Sequence, residues 1–242
     1  MATPGGQRLV VVTGASSGIG RALAQAFATA GDRVVACGRD RRRLEQLTDL
    51  LAATGYDCSS ATFDVRDERE IARAVRGILR REGRIDILIN NAGVTVFKTI
   101  AKTTAKEFDD IVDTGLRAAF LMTQAVLPHF TKRGRGMIIN ILSYASKTTY
   151  TKSGAYSAAK AGSAALMNVL REELRGSGIS VTNVFPGATE TPMWSARHRT
   201  KYRHQMMRPE VVASAVLEAS LMPAGTMVEE LTIRPQIGDL GV

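Results

Sequence analysis

The chain has 242 residues, of which 45% are hydrophobic and 23% charged, and its formal net charge is +9. Such a composition supports a sizeable core, and no apolar run approaches the length of a membrane span. Cys37 and Cys58 stand apart without a Cys-x-x-Cys pair, and His129, His198 and His204 lack metal-ligand spacing, so disulfide and metal chemistry are set aside.

The first element is a buried strand. Leu9-Val-Val-Val12 is a Val-rich apolar run of the kind that a parallel sheet covers on both faces. Gly14, Gly18 and Gly20 interrupt it, residues 21–30 have helical composition, and Gly31 is placed to end the helix. Strand, glycine turn and helix N-terminus in that order form an anion site. Free N–H groups and the positive end of the helix dipole face a turn whose missing side chains let a pyrophosphate approach. Gly14, Ser16, Ser17, Gly18, Ile19 and Gly20 are therefore cofactor-binding candidates. The spacing is G-x-x-x-G-x-G, not the G-x-G-x-x-G of the common dinucleotide fingerprint. Gly14-Ala-Ser16-Ser-Gly18 also fits the G-x-S-x-G elbow of serine hydrolases. Such an elbow takes an oxyanion donor from an earlier strand's loop, and only eight residues precede Leu9.

A second strand over 33–37 and a helix over 40–53 follow, then a strand over 59–65 and a helix over 68–81. Next come a strand over 85–90, a long helical stretch from about 105 towards 130, a strand over 137–142 and an Ala-rich helix over 154–174. A strand over 179–185, a helix over 209–221 with Pro209 in its first turn, and a strand over 230–234 complete the chain. This alternation predicts one doubly wound α/β sheet with helices on both faces, and nothing marks a boundary within a single domain over 1–242.

Cofactor choice is read at the end of the second strand, where an NAD site needs a carboxylate for the ribose 2′-hydroxyl. Here Gly38 is followed by Arg39, whose guanidinium suits a 2′-phosphate, while Arg41, Arg42 and Arg43 read as the solvated coat of the next helix. Asp64 and Val65, at the next strand's edge, suit the adenine. Asn91, Ala92 and Gly93 close the fourth strand with small residues and an amide near the cofactor's second ribose. Tyr156 and Lys160 are four apart and share one helix face. An ammonium near the phenol favours phenolate and brings its pKa towards neutrality, and Ser143 ends the fifth strand on the same side of the sheet.

Thr13-Gly-x-x-x-Gly-Ile-Gly20, Asn90-Asn-Ala-Gly93, Ser143 thirteen residues before Tyr156, Tyr156-x-x-x-Lys160 and Pro186-Gly-x-x-x-Thr191 occur in a familiar order and spacing. By these motifs the chain resembles the short-chain dehydrogenase/reductase family over nearly its whole length. The resemblance implies a Rossmann fold with seven parallel strands in the order 3-2-1-4-5-6-7. It implies Tyr156 as acid/base, Ser143 as holder of the substrate oxygen, and Lys160 as a ligand of the nicotinamide ribose that also lowers the tyrosine's pKa. Thr191 would hold the carboxamide, with Pro186, Gly187 and Thr189 lining the same edge. Arg39 falls where NADP-preferring members carry a basic residue. NADP(H) is thus the expected cofactor, a carbonyl compound or secondary alcohol the expected substrate, and a homodimer or homotetramer the expected assembly.

One position departs from the family. Gly115 stands where the family carries an Asn that interrupts the long helix and anchors a water linking the active-site lysine to solvent. A glycine allows the interruption but supplies no amide, and the adjacent Thr114 points elsewhere, so a slowed turnover is expected. At the extreme the chain would be a weakly catalytic NADP(H)-binding sensor or scaffold.

Residues 188–208 read as a substrate lid that carries Trp194, Arg197, Arg199, Lys201, Arg203 and Arg208. It is either a solvated cover or a basic mouth for a carboxylate or a carrier-bound thioester. The remaining basic residues are spread along the chain without a nucleic-acid motif, so no nucleic-acid partner is expected. Residues 1–8 lack the apolar core of a secretion signal, so a cytoplasmic protein without a membrane partner is expected.

Overall fold

A computed structural model of the chain describes residues 7–238 and Leu240. Its framework is a seven-stranded sheet: β1 (Leu9–Thr13), β2 (Arg33–Gly38), β3 (Cys58–Thr62), β4 (Ile87–Asn90), β5 (Gly136–Ile141), β6 (Ile179–Pro186) and β7 (Glu230–Ile233). Every pairing is parallel and the spatial order is β3-β2-β1-β4-β5-β6-β7. The helices are α1 (Gly18–Thr29), α2 (Arg41–Ala53), α3 (Glu68–Glu82), α4 (Ala105–Val112), α5 (Ala118–Arg133), α6 (Gly154–Glu173), α7 (Ala196–Tyr202) and α8 (Pro209–Ala219). The expected strand order and double winding are both present.

The alternation of side chains along β1 divides the core in two. Val10 and Val12 pack with Leu23 and Phe27 of α1 and Val212 and Val216 of α8. Leu9 and Val11 face the other layer, with Ile71, Val75 and Ile78 of α3 and Val126 and Phe130 of α5. All five residues of β1 are buried, which is why the first four form a continuous apolar run and do not alternate. Cys37 and Cys58 are unpaired thiols, and burial pushes the first up to about 12 and the second to about 11, so neither forms thiolate near neutral pH.

Two departures from the sequence reading bear on the site. The strand expected over 59–65 ends at Thr62, because Asp64 turns its backbone N–H to Glu70 Oε2 at 2.8 Å. The long helix expected over 105–130 is broken by a π turn at Asp113–Arg117, with Gly115 at its centre. That break supports the interruption which the family resemblance implies. Strand order reverses between β1 and β4, so the loops leaving their C-terminal ends diverge and open the crevice in which such sheets bind ligands.

Candidate active site

Gly14 and Gly18 have φ of 66° and 54°, a region that glycine enters without steric cost. Gly20 is required by contact instead, since a Cβ there would run into the Gly14 carbonyl oxygen and the Asn91 amide. The Thr13 hydroxyl accepts from the backbone N–H groups of Asn91 and Ala92 at 3.0 and 3.2 Å. Asn91 Nδ2 in turn donates to the Thr13 carbonyl at 2.9 Å. The β1 turn and the β4 loop are thereby fastened together across the crevice.

Asp40, Asp67 and Thr104 cap α2, α3 and α4 with their side chains. Ser17 makes no such bond at the start of α1, and the first turn of α1 holds no acidic residue. The N-terminus facing the glycine turn therefore keeps its backbone donors and its positive dipole end for an external acceptor. An uncapped helix start and a turn in which a Cβ would collide are what a dinucleotide pyrophosphate requires. Ser16 Oγ faces the end of β2, 3.8 Å from where a Cβ on Gly38 would lie.

Arg39 continues from that strand end with a side chain 55% exposed, and its guanidinium lies 3.6 Å from Asp64 Oδ2. Asp64 is held far more closely by Arg66, at 2.7 Å through NH2 and 3.1 Å through Nε to each oxygen. Hydrogen bonding from Arg66 is the main cause of its depressed pKa. Arg66 also reaches Asp110 at 2.9 Å, and the sequence reading did not single it out. Asp64 and Val65 thus lie at the expected edge, but the Asp64 carboxylate is engaged by an arginine before any adenine is considered. Arg41 and Arg43 pair with Glu45 and Asp40, as members of a solvated coat would.

The three chemistry-bearing residues converge at the next strand end. Ser143 leaves β5, accepts the Ala145 N–H at 3.1 Å and shares a hydrogen bond with the Tyr156 hydroxyl. Lys160 is 4% exposed, its Nζ lies 5.9 Å from the Tyr156 ring centroid and it donates to the Ile141 carbonyl at 2.8 Å. Gly93 lets the ammonium approach the β4 loop, since a Cβ there would lie 3.4 Å from Nζ. The pKa pattern differs from the sequence expectation. Tyr156 is half-buried as a residue, yet burial around the hydroxyl pushes its pKa up and only the Ser143 hydrogen bond opposes the rise. Burial instead brings Lys160 down to about 8. Desolvation outweighs the pairwise attraction here because Nζ is turned to a carbonyl and not to the phenol.

The segment after β6 is held to β7 and to the glycine turn. Gly187 N–H donates to Ile233 at 2.7 Å and Thr189 to the Gly187 carbonyl at 3.0 Å, fixing the turn that follows Pro186. Thr191 reaches the glycine turn, where a Cβ on Gly18 would lie 3.1 Å from it. Beyond it Trp194 stacks on Phe97 of the β4 loop at 4.8 Å, which ties the segment after β6 to that loop. No group of side chains that could hold a metal ion occurs among the described residues.

Sequence reasoning passed over a row of buried amides. Asn90, Asn140 and Asn183 are direct register partners on β4, β5 and β6. The available signal was an Asn within each of three largely apolar strands, which is costly unless the amides satisfy one another.

A family model for short chain dehydrogenase matches residues 8–201. Sepiapterin reductase of Chlorobaculum tepidum is 34% identical over 241 residues, covering 97% of this chain and 98% of that protein. Among solved structures, a metagenomic short-chain oxidoreductase in complex with NADP is 32% identical with a TM-score of 0.83, over 95% of this chain and 97% of that one. A variant of actinorhodin polyketide ketoreductase with NADPH is 31% identical with a TM-score of 0.89, over 99% of this chain and all (100%) of that one. Matched over most of its length in sequence and in fold, with its motifs gathered on one sheet edge, the chain belongs to the short-chain dehydrogenase family.

Proposed function

We propose that the protein is an NADP(H)-dependent oxidoreductase that interconverts a carbonyl compound and a secondary alcohol. The observation that carries this reading is the convergence of Ser143, Tyr156 and Lys160 beside the uncapped start of α1, with Arg39 loosely paired at the same edge. Gly14 to Gly20 would take the pyrophosphate, Arg39 the 2′-phosphate, Asp64 and Val65 the adenine end. Asn91 to Gly93 and Lys160 would take the nicotinamide ribose, and Pro186, Gly187, Thr189 and Thr191 the nicotinamide. NADPH when bound supplies the hydride. Ser143 orients the substrate oxygen, and Tyr156 gives its hydroxyl proton to that oxygen as the carbonyl becomes an alcohol. Lys160 holds positive charge nearby and thereby favours the phenolate that remains.

NADPH oxidation over simple ketones, 3-oxo esters, 3-oxoacyl thioesters and sepiapterin tests the reading. Oxidation with at least one class is expected. Tight NADPH binding without turnover on any of them would favour the second reading, a sensor or scaffold, which Gly115 motivates. The homodimer or homotetramer belongs to the same proposal, and exposed Phe108, Phe120 and Val169 on α4, α5 and α6 support it.

The lid's charge has its own test. Arg199 and Arg203 line a surface cleft of about 240 Å³ with Glu190, Ala196 and Thr200, and Arg203 pairs with Glu190 at 3.1 Å. If this cleft reads substrate charge, kcat/KM for an anionic ketone should fall with added salt more steeply than for a neutral one. Parallel salt profiles would return the lid to a solvated cover.

A further inference from the structure

The sheet register puts a carboxylate beside the residue expected to read the cofactor's phosphate. Gly38 ends β2 opposite Thr62, the last residue of β3, so Arg39 and Asp64 leave adjacent strands at the same edge. The Arg39 guanidinium lies 3.6 Å from Asp64 Oδ2, and among the described residues no other carboxylate is within ion-pair reach of it. A free carboxylate at this place works against a 2′-phosphate in two ways. It repels the phosphate's charge, and it competes with the phosphate for the guanidinium.

Arg66 counters both effects. Its Nε donates to each Asp64 oxygen at 3.1 Å, its NH2 to Oδ2 at 2.7 Å and its backbone N–H to Oδ1 at 3.0 Å. Both oxygens are thus occupied by one guanidinium, in a pair that fits the planar fork to the carboxylate. Hydrogen bonding from Arg66 holds Asp64 below the usual carboxylate range, so the pair stays charged on both sides at neutral pH. The fork is itself held in place. Its NH1 donates to Asp110 Oδ1 of α4 at 2.9 Å, and Lys106 takes the other oxygen of Asp110 at 2.9 Å. The Arg66 carbonyl accepts from Arg117 at 2.8 Å, which fixes the backbone as well. Two arginines therefore share one carboxylate unequally. Arg66 is anchored on both sides, whereas Arg39 has a long contact and a side chain 55% exposed.

We propose that Arg66 is a positioning residue that decides cofactor preference: it neutralises Asp64 and thereby keeps Arg39 open to the 2′-phosphate of NADP(H). The inference rests on the placement of that phosphate at Arg39, and goes beyond it by naming the residue on which the placement depends. An arginine at the end of β2 is then not sufficient for NADP(H) preference in this chain. The preference belongs to Arg39, Asp64 and Arg66 together, and Arg66 acts through the other two. The same bonds also tie the loop after β3 to α4, and a purely structural role would end there.

Dissociation constants for NADPH and NADH, measured by fluorescence titration, test this without any turnover, and the quantity read is their ratio. Arg66→Leu should lower the preference for NADPH about tenfold, chiefly by weakening NADPH binding. Asp64→Asn in the Arg66→Leu background should restore the ratio to within about threefold of wild type, because the carboxylate causes the loss. A change that Asp64→Asn brings at the adenine end falls on both cofactors and cancels in the ratio. Arg66→Leu should act more weakly in an Arg39→Ala background, where the guanidinium it protects is gone. Asp110→Asn, which breaks the bridge to α4 and leaves the Asp64–Arg66 pair, should lower Tm without moving the ratio. Should Arg66→Leu not fold, Arg66→Gln, which keeps a donor and no charge, takes its place. The proposal is overturned by an unchanged ratio in the folded Arg66 variant, or by a loss that Asp64→Asn does not restore. An equal loss in Asp110→Asn, or an equal effect with and without Arg39, overturns it too. If Arg39→Ala itself leaves the ratio unchanged, the phosphate placement fails and takes this inference with it. If Arg39→Ala lowers the ratio and the Arg66 variant does not, the placement stands and the role of Arg66 falls.

Discussion

Tyr156→Phe is expected to lower turnover by a factor on the order of 10²–10⁴ while NADPH binding stays nearly intact. The hydroxyl is the only group removed, and it is the one hydrogen-bonded to Ser143 where a substrate oxygen would lie. Lys160→Ala is expected to damage both turnover and binding, since Nζ sits between the β4 loop and the Ile141 carbonyl, next to the proposed ribose site. The wild-type pH profile should carry the same signature. Lys160 loses its ammonium as pH rises through about 8, so carbonyl reduction that depends on that charge should decline above this value. Steady-state kinetics with fluorescence titration of NADPH checks all three outcomes. Wild-type turnover in a Tyr156→Phe preparation would refute the assigned acid.

Arg39→Ala is expected to weaken NADPH binding roughly tenfold to a hundredfold, corresponding to about 1.5–3 kcal/mol for charge-assisted hydrogen bonds to a phosphate. NADH binding should barely change. Arg39 is free to make such bonds because its link to Asp64 is long, at 3.6 Å, and Asp64 is held at 2.7 Å by Arg66. A closely paired Arg39 would first have to break an ion pair, and the discrimination would shrink. Equal losses for both cofactors in parallel titrations would remove Arg39 from the phosphate site.

Much of this protein is determined along the chain. The Val-rich run at Leu9–Thr13, the glycines behind it and the alternation that follows suffice for a doubly wound sheet. Each is a local consequence of burial on both faces or of a tight turn. The strand order and the roles expected for Ser143, Tyr156 and Lys160 came with the family resemblance that the motifs carry. An interruption at Gly115 was implied by the family resemblance alone, since the helical pattern read by itself runs on from 105 towards 130.

Tertiary structure decided what depends on partners far apart in sequence. Asp64 is an edge carboxylate in the sequence, but its charge is taken up by Arg66, which also bridges to Asp110 on α4. Tyr156 and Lys160 share a helix face as spacing requires, but burial and the Ile141 carbonyl determine which way each pKa moves. The amides of Asn90, Asn140 and Asn183 are separated by 50 and 43 residues, and only the register of β4, β5 and β6 makes them one directed chain. Hydrophobic pattern and turn chemistry are local and survive in a one-dimensional reading. Desolvation and the direction of hydrogen bonds depend on the packed neighbours, and those exist only once the sheet has formed.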